Sequence, residues 1–175
     1  MVTGSPADSM LAMSEALDPS DPRAGGDADV VWLTDEQQQI WRAWLHGVAR
    51  VNDELDAQLR TVGLDLGDYE ILVSLVEGEN RERRMSDLAA MVHQSRSRLT
   101  HAINRMETNG WVIRRQASDD RRGVIASLTD EGYALLERAA PGHVREVRRV
   151  LVDAVDPDDF VALGRCMQAI LAVPD

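Results

Sequence analysis

Residues 95–132 read SRSRLTHAINRMETNGWVIRRQASDDRRGVIASLTDEG. In the first half of this stretch Leu99, Ala102, Ile103 and Met106 recur three and four residues apart, which lines one face of a helix with apolar side chains. Arg98, His101 and Arg105 repeat at the same spacing on the other side, and Asn109 with Gly110 forms a helix stop. Two β-prone runs follow, WVIRR from Trp111 and GVIASL from Gly123, separated by QASDDRR. They predict a hairpin whose charged tip is longer than a tight turn needs.

Working outward, SDLAAMV at 86–92 predicts a short helix with Ser86 as its cap and Leu88, Ala89 and Val92 as its buried stripe. A tight turn around His93 and Gln94 joins it to the helix that begins near Ser95. Two short helices, a tight turn and a hairpin make a winged helix-turn-helix. In that arrangement the second helix enters the major groove of DNA and the hairpin tip reaches along the backbone.

Upstream, Thr34 and Gln37 form a capping-box pattern that opens a long helix through Ile40, Trp44, Val48, Val51, Leu55, Leu59 and Val62, ended by Gly63. Asp68 is the expected cap of a short helix carrying Tyr69, Ile71, Leu72 and Leu75, which stops near Gly78, and Arg84 with Met85 fits a short strand. Residues 1–30 are rich in Pro, Gly and Asp and predict a flexible tail, with an amphipathic turn between Met10 and Leu17 as an alternative.

Downstream, Thr129 caps a helix through Tyr133, Leu135 and Leu136 that Pro141 and Gly142 are expected to bend or break before Val144. A last helix starts at Asp156 with Pro157 in its first position. The expected organisation is a tail at 1–30 and one domain at 31–175, with a winged helix-turn-helix at 66–129 flanked by helices at 34–63 and 130–172. The fold class is mainly α with a small β-hairpin wing.

The 175-residue chain carries a net charge of −11, yet between Arg81 and Arg122 ten arginines face five carboxylates, a local charge of +5 that leaves −16 elsewhere. Local charge decides contact with phosphate. Ser95, Arg96, Ser97, Arg98, Thr100, His101 and Arg105 are the groove-facing positions, with Arg98 and His101 the expected base readers and Ser95, Ser97 and Arg105 mainly setting the helix on phosphates. Taken alone, the helix also reads as the solvated face of an amphipathic segment; the hairpin with Arg121 and Arg122 at its tip turns the reading toward DNA.

The stretch 97–132 resembles the core of the MarR family of bacterial transcription regulators, with an Asp-x-Arg wing signature at Asp120 to Arg122 followed by Leu128, Thr129 and Gly132. The resemblance implies a homodimeric DNA-binding regulator, usually a repressor, on a palindromic operator. Arg122 would reach the minor groove, with Asp120 holding its guanidinium; Asp120 also has a plain reading as a turn residue.

It implies first and last helices that intertwine in the dimer, with Phe160, Leu163, Met167, Ile170 and Leu171 as interface candidates. It further implies release by a small aromatic, phenolic or anionic effector, for which Trp41, Arg42, Trp44, His46 and Asp68 are the candidate contacts. Trp44 also fits the core stripe, His46 a satisfied polar partner and Asp68 a helix cap.

Other classes find little support. Cys166, the single cysteine, lies among Leu163, Met167 and Ile170 and reads as structurally buried, which together with the absence of a secretion signal fits a cytoplasmic protein. His46, His93, His101 and His143 lack paired metal-ligand spacing, and no phosphate loop, nucleophile elbow or cofactor fingerprint occurs, so neither enzyme nor cofactor is expected. No stretch is long and apolar enough for a membrane. The rival reading is a winged-helix module for protein contact, with weak, salt-insensitive or absent DNA binding.

Overall fold

The computed structural model describes residues 30–92, 94–117 and 123–174. The tail up to residue 29, His93 and the hairpin tip with Asp120, Arg121 and Arg122 lie outside the described residues. The elements are α1 (Asp35–Arg60), α2 (Leu66–Val76), β1 (Glu82–Arg84), α3 (Met85–Met91), α4 (Arg96–Thr108), β2 (Val112–Gln116), β3 (Val124–Leu128), α5 (Asp130–Val147) and α6 (Pro157–Leu171). They form a mainly helical chain with one small antiparallel sheet, as expected. The chain divides into two compact units between Arg50 and Val51, inside α1.

In the first unit the capping box is formed in both directions: Thr34 N–H donates to Gln37 Oε1 at 2.9 Å, and Gln37 N–H to Thr34 Oγ1 at 3.2 Å. The apolar stripe that follows stays open. Ile40 is 64 % exposed, Trp44 38 % and Val48 41 %.

The second unit holds the core. Gly63, at φ +83°, reverses the chain after α1, where the Leu64 N–H donates to Leu59 O at 3.2 Å. Asp65, not Asp68, caps α2: its Oδ1 accepts the Asp68 N–H at 2.7 Å. The cap lies three residues before the expected one, so Asp68 falls inside the first turn of the helix and is buried. Ile71, Leu72 and Leu75 of α2 are fully buried, and the core they belong to includes Leu59, Leu88, Ile103 and Met106.

β1 starts two residues before the expected strand and pairs with β3, which also pairs with β2. Ala126 therefore faces both Arg83 and Arg114 across the sheet. Because α3 starts directly off β1, Ser86 lies inside its first turn, where its hydroxyl donates to Asp87 Oδ1 at 2.9 Å. It is not the cap; Arg84 holds that position without a side-chain bond.

α4 buries Leu99, Ala102, Ile103 and Met106, the stripe read from the sequence, and Gly110 at φ +76° ends it. Thr129 caps α5 by accepting the Gly132 N–H at 3.0 Å. α5 runs through Pro141 unbroken to Val147. Proline removes one backbone donor, and buried Ala139 on the preceding turn helps keep the helix docked. Gly142 sits against the Gln58 side chain, whose Nε2 would lie 2.6 Å from a Cβ at that position. The irregular stretch comes later, as a π-helical turn at Arg148–Val152 beside the Arg148–Asp153 ion pair.

α6 begins as expected, with Asp156 accepting the Asp158 N–H at 2.8 Å and Pro157 in the first position. None of its residues is buried: Phe160, Leu163 and Met167 are half-buried, Ile170 and Leu171 exposed. Cys166 is likewise exposed, against the expectation of burial, because the described chain does not cover this helix.

Candidate nucleic-acid interface

α4 is held by its apolar stripe, which leaves Arg96, Ser97, Arg98, Thr100 and His101 exposed together. Ser95 caps it, its Oγ accepting the Arg98 N–H at 3.3 Å. An accepting hydroxyl keeps its own proton, so Ser95 remains able to donate to a phosphate. Thr100 does not, because it already gives its proton to Arg96 O at 2.7 Å. Among the described residues, no carboxylate pairs with the guanidinium of Arg96 or Arg98.

The other arginines of the basic stretch are mostly engaged within the chain. Arg114 pairs with Glu107, and Arg115 with Glu82, which also accepts the Ser127 hydroxyl at 2.7 Å. Arg81 lies over the Tyr133 ring at 3.9 Å and reaches Asp130 at 3.3 Å, while Arg83 donates to Ser74 O at 2.5 Å. Arg81 and Arg83, which had no role in the sequence reading, thus tie the β1 segment to its neighbours. Arg84 lines a groove of about 370 Å³ with Arg96, Thr100, Gly123 and Val124, between α4 and the base of the wing. Among the described residues of the basic stretch, arginines without a carboxylate partner are therefore concentrated at the start of α4.

Arg115, and then the Ser127 hydroxyl, hold the Glu82 carboxyl below its usual range. A lowered folded pKa means that this stabilisation is complete above the unfolded value of 4.5 and disappears as pH falls through the folded value. Glu82→Gln should therefore flatten the acid limb of the stability curve, measured by thermal melts from about pH 3 to pH 7.

Near its C-terminal end α4 meets α2. Arg105 Nη2 lies 2.5 Å from Asp68 Oδ1 and 3.4 Å from Asp65 Oδ2. These groups line a cleft of about 460 Å³ together with Asp56, Arg60, Arg98 and His101. Burial, then repulsion from Asp65, raises the Asp68 carboxyl above its usual value, with Arg105 opposing them. A carboxyl raised on folding costs stability at pH above its folded pKa and stops doing so as pH falls through it. Asp68→Asn keeps the shape and an acceptor oxygen, so thermal melts at neutral pH should show no loss of stability.

Of the expected effector contacts, Trp41 and Trp44 come together as a stacked pair, centroids 5.1 Å apart and rings 17° from parallel. Arg42 donates to Gln38 Oε1 at 3.4 Å, His46 is exposed, and Asp68 is taken by Arg105. The sequence reading missed a second cleft, of about 460 Å³, lined by Leu55, Tyr69, Val73, Met91 and His143 among others. His143 lies against Tyr69 at 4.3 Å, burial lowers its pKa, and its Nδ1 is buried without a hydrogen-bond partner among the described residues. The available signal was a histidine one turn beyond the Leu135–Ala139 stripe, on the helix facing Tyr69.

The MarR family model matches residues 64–124, which span α2 to the start of β3. AbsC from Streptomyces coelicolor, a MarR family transcriptional regulator, is 42 % identical with a TM-score of 0.77, over 81 % of this chain and 96 % of that one. Sco3205 from the same organism, solved in complex with DNA, is 43 % identical with a TM-score of 0.77, over 81 % and 90 %. The transcriptional repressor YetL of Bacillus subtilis is 26 % identical over 109 residues, 62 % of this chain and 65 % of YetL, so the chain spans just under two thirds of that curated relative. A helix-turn-helix with its wing, flanked by long helices and matched at this identity over nearly all of AbsC, leaves one assignment: the chain belongs to the MarR family of winged helix-turn-helix transcription regulators.

Proposed function

We propose that the protein is a DNA-binding transcription regulator, acting as a repressor in the cytoplasm, that places α4 in the major groove of a palindromic operator as a homodimer. The observation that carries this reading is the exposed start of α4, where no carboxylate among the described residues pairs with Arg96, Arg98 or His101, while the other described arginines of the basic stretch are held by neighbours or line the groove. Arg98 and His101 read bases; Ser95, Arg96 and Ser97 donate to phosphates, and Asp120, Arg121 and Arg122 carry the wing contact. In this reading the domain runs from residue 31 to the C-terminus, with α1 and α6 as dimerisation helices. Their exposed stripes, from Ile40 to Val48 and at Ile170 and Leu171, give a second protomer apolar surface to cover.

Release by a small aromatic acid or phenol is part of the proposal. The Tyr69–His143 cleft offers a ring to stack on and a buried nitrogen to bond, and the Trp41–Trp44 pair with Arg42 and His46 offers a second aromatic surface. The test is a fluorescence titration of the chain against duplex DNA from upstream of its own gene, over a salt series and then with a panel of aromatic acids. Affinity should fall steeply with salt, each neutralised phosphate adding about −0.9 to the log–log slope. Weak or salt-insensitive binding would favour a protein-interaction module instead.

A further inference from the structure

Arg105 sits on the same face of α4 as Arg98 and His101, which makes it look like a third DNA contact. Its surroundings give it other work. One guanidinium nitrogen meets Asp68 at 2.5 Å and Asp65 at 3.4 Å, and Asp68 is only 3 % exposed. Asp65 is shared between two tasks, with Oδ1 on the Asp68 N–H at the start of α2 and Oδ2 facing Arg105. The same turn of α2 also touches the other end of α4: a Cβ at Gly67 would come within 2.9 Å of Gln94 Nε2, just before the helix begins. The first turn of α2 therefore lies close to the chain entering α4 and holds the helix again near its exit through Arg105.

We propose that Arg105 is a strut and not a DNA contact, and that Asp68 is a positioning residue that sets α4 for base reading. This rests on the DNA-binding function proposed above. The apolar stripe of α4 supplies adhesion without direction, so by itself it permits small slides and rotations of the helix. A charged hydrogen bond to a buried carboxylate fixes both angle and register, on the scale of tenths of an ångström that base-edge contacts need. The arrangement also has a cost. Burial disfavours the Asp68 charge, and an apolar pair of similar volume would serve stability at least as well. A group that does not add stability and fixes a reading helix is explained by the position it imposes.

The test uses the full chain with Asp68→Asn, Arg105→Gln and the double variant, titrated against the same upstream duplex over a salt series, with thermal melts as a check on folding. Each single variant should bind about tenfold more weakly, and the double variant no more weakly than the weaker single one. All should keep the wild-type salt slope, because no phosphate contact has been removed. Arg105 is half-exposed, so Arg105→Gln breaks the same contact from the solvent side and gives a second, independent reading. A slope reduced by about 0.9 in Arg105→Gln would make Arg105 a phosphate ligand and overturn the proposal, as would wild-type affinity in a folded Asp68→Asn. A wild-type chain that fails to bind the duplex overturns the DNA function itself, so that failure appears before any variant is compared.

Discussion

Gly132→Ala is expected to cost about 3 kcal/mol or more, lowering the melting temperature by roughly 6–12 °C for a chain of this size. A Cβ at this position would stand 2.2 Å from Trp111 O and 2.8 Å from Leu128 Cδ1. The leucine tip can rotate away, but the carbonyl cannot. Trp111 O accepts the Thr129 N–H at 3.0 Å and also the Thr129 hydroxyl at 3.0 Å, and Thr129 caps α5. Relieving the clash therefore means moving the start of α5 off the start of β2 or breaking the cap. Both leave polar groups unpaired at a part-buried junction, at about 1 kcal/mol each on top of the strain. Because α5 and the wing separate at this point, DNA binding should fall with stability. A melting temperature equal to wild type would show that the junction is looser than its hydrogen bonds indicate.

The features legible in the sequence were those decided within a few residues. The Thr34–Gln37 box, the Leu99–Met106 stripe, the Thr129 cap and the Asp156–Pro157 start all depend on neighbours three or four positions away, and each formed as expected. Where two local solutions competed, the sequence did not decide. Asp65 and Asp68 can both cap α2, and only the turn at Gly63–Leu64 places Asp65 at the cap and Asp68 inside the helix. Ser86 looks like a cap until β1 is seen to run directly into α3.

The least legible part was the fate of the arginines. Arg115 finds Glu82 33 residues away, Arg105 finds Asp68 37 away, and Arg81 finds Asp130 49 away. Counting charge along the chain overstated how many arginines are available to a partner, because pairing across the fold removes arginines from the count. Cys166 failed for a related reason: an apolar stripe shows that a helix face is suited to burial, not which chain covers it.

That redistribution decides what Arg98→Ala should do. The side chain is exposed in the first turn of α4, no carboxylate among the described residues pairs with its guanidinium, and its backbone N–H is held by Ser95, so the helix start is fixed independently of the side chain. Truncation should leave folding intact and remove a planar donor pair suited to the O6 and N7 of guanine. The expected loss is about 1–3 kcal/mol, roughly a 5- to 150-fold drop in affinity for the preferred operator, with little change on scrambled duplex. Discrimination between the two should therefore fall along with affinity, and a selection from randomised duplexes should relax at one base pair in each half-site. Arg96→Ala is the natural contrast. Its side chain lines the groove toward the wing base, so it should weaken binding to every sequence alike and reduce the salt slope by about 0.9. If Arg98→Ala instead weakened preferred and scrambled duplexes equally, Arg98 would be a phosphate contact, and base reading would fall to His101 and the wing.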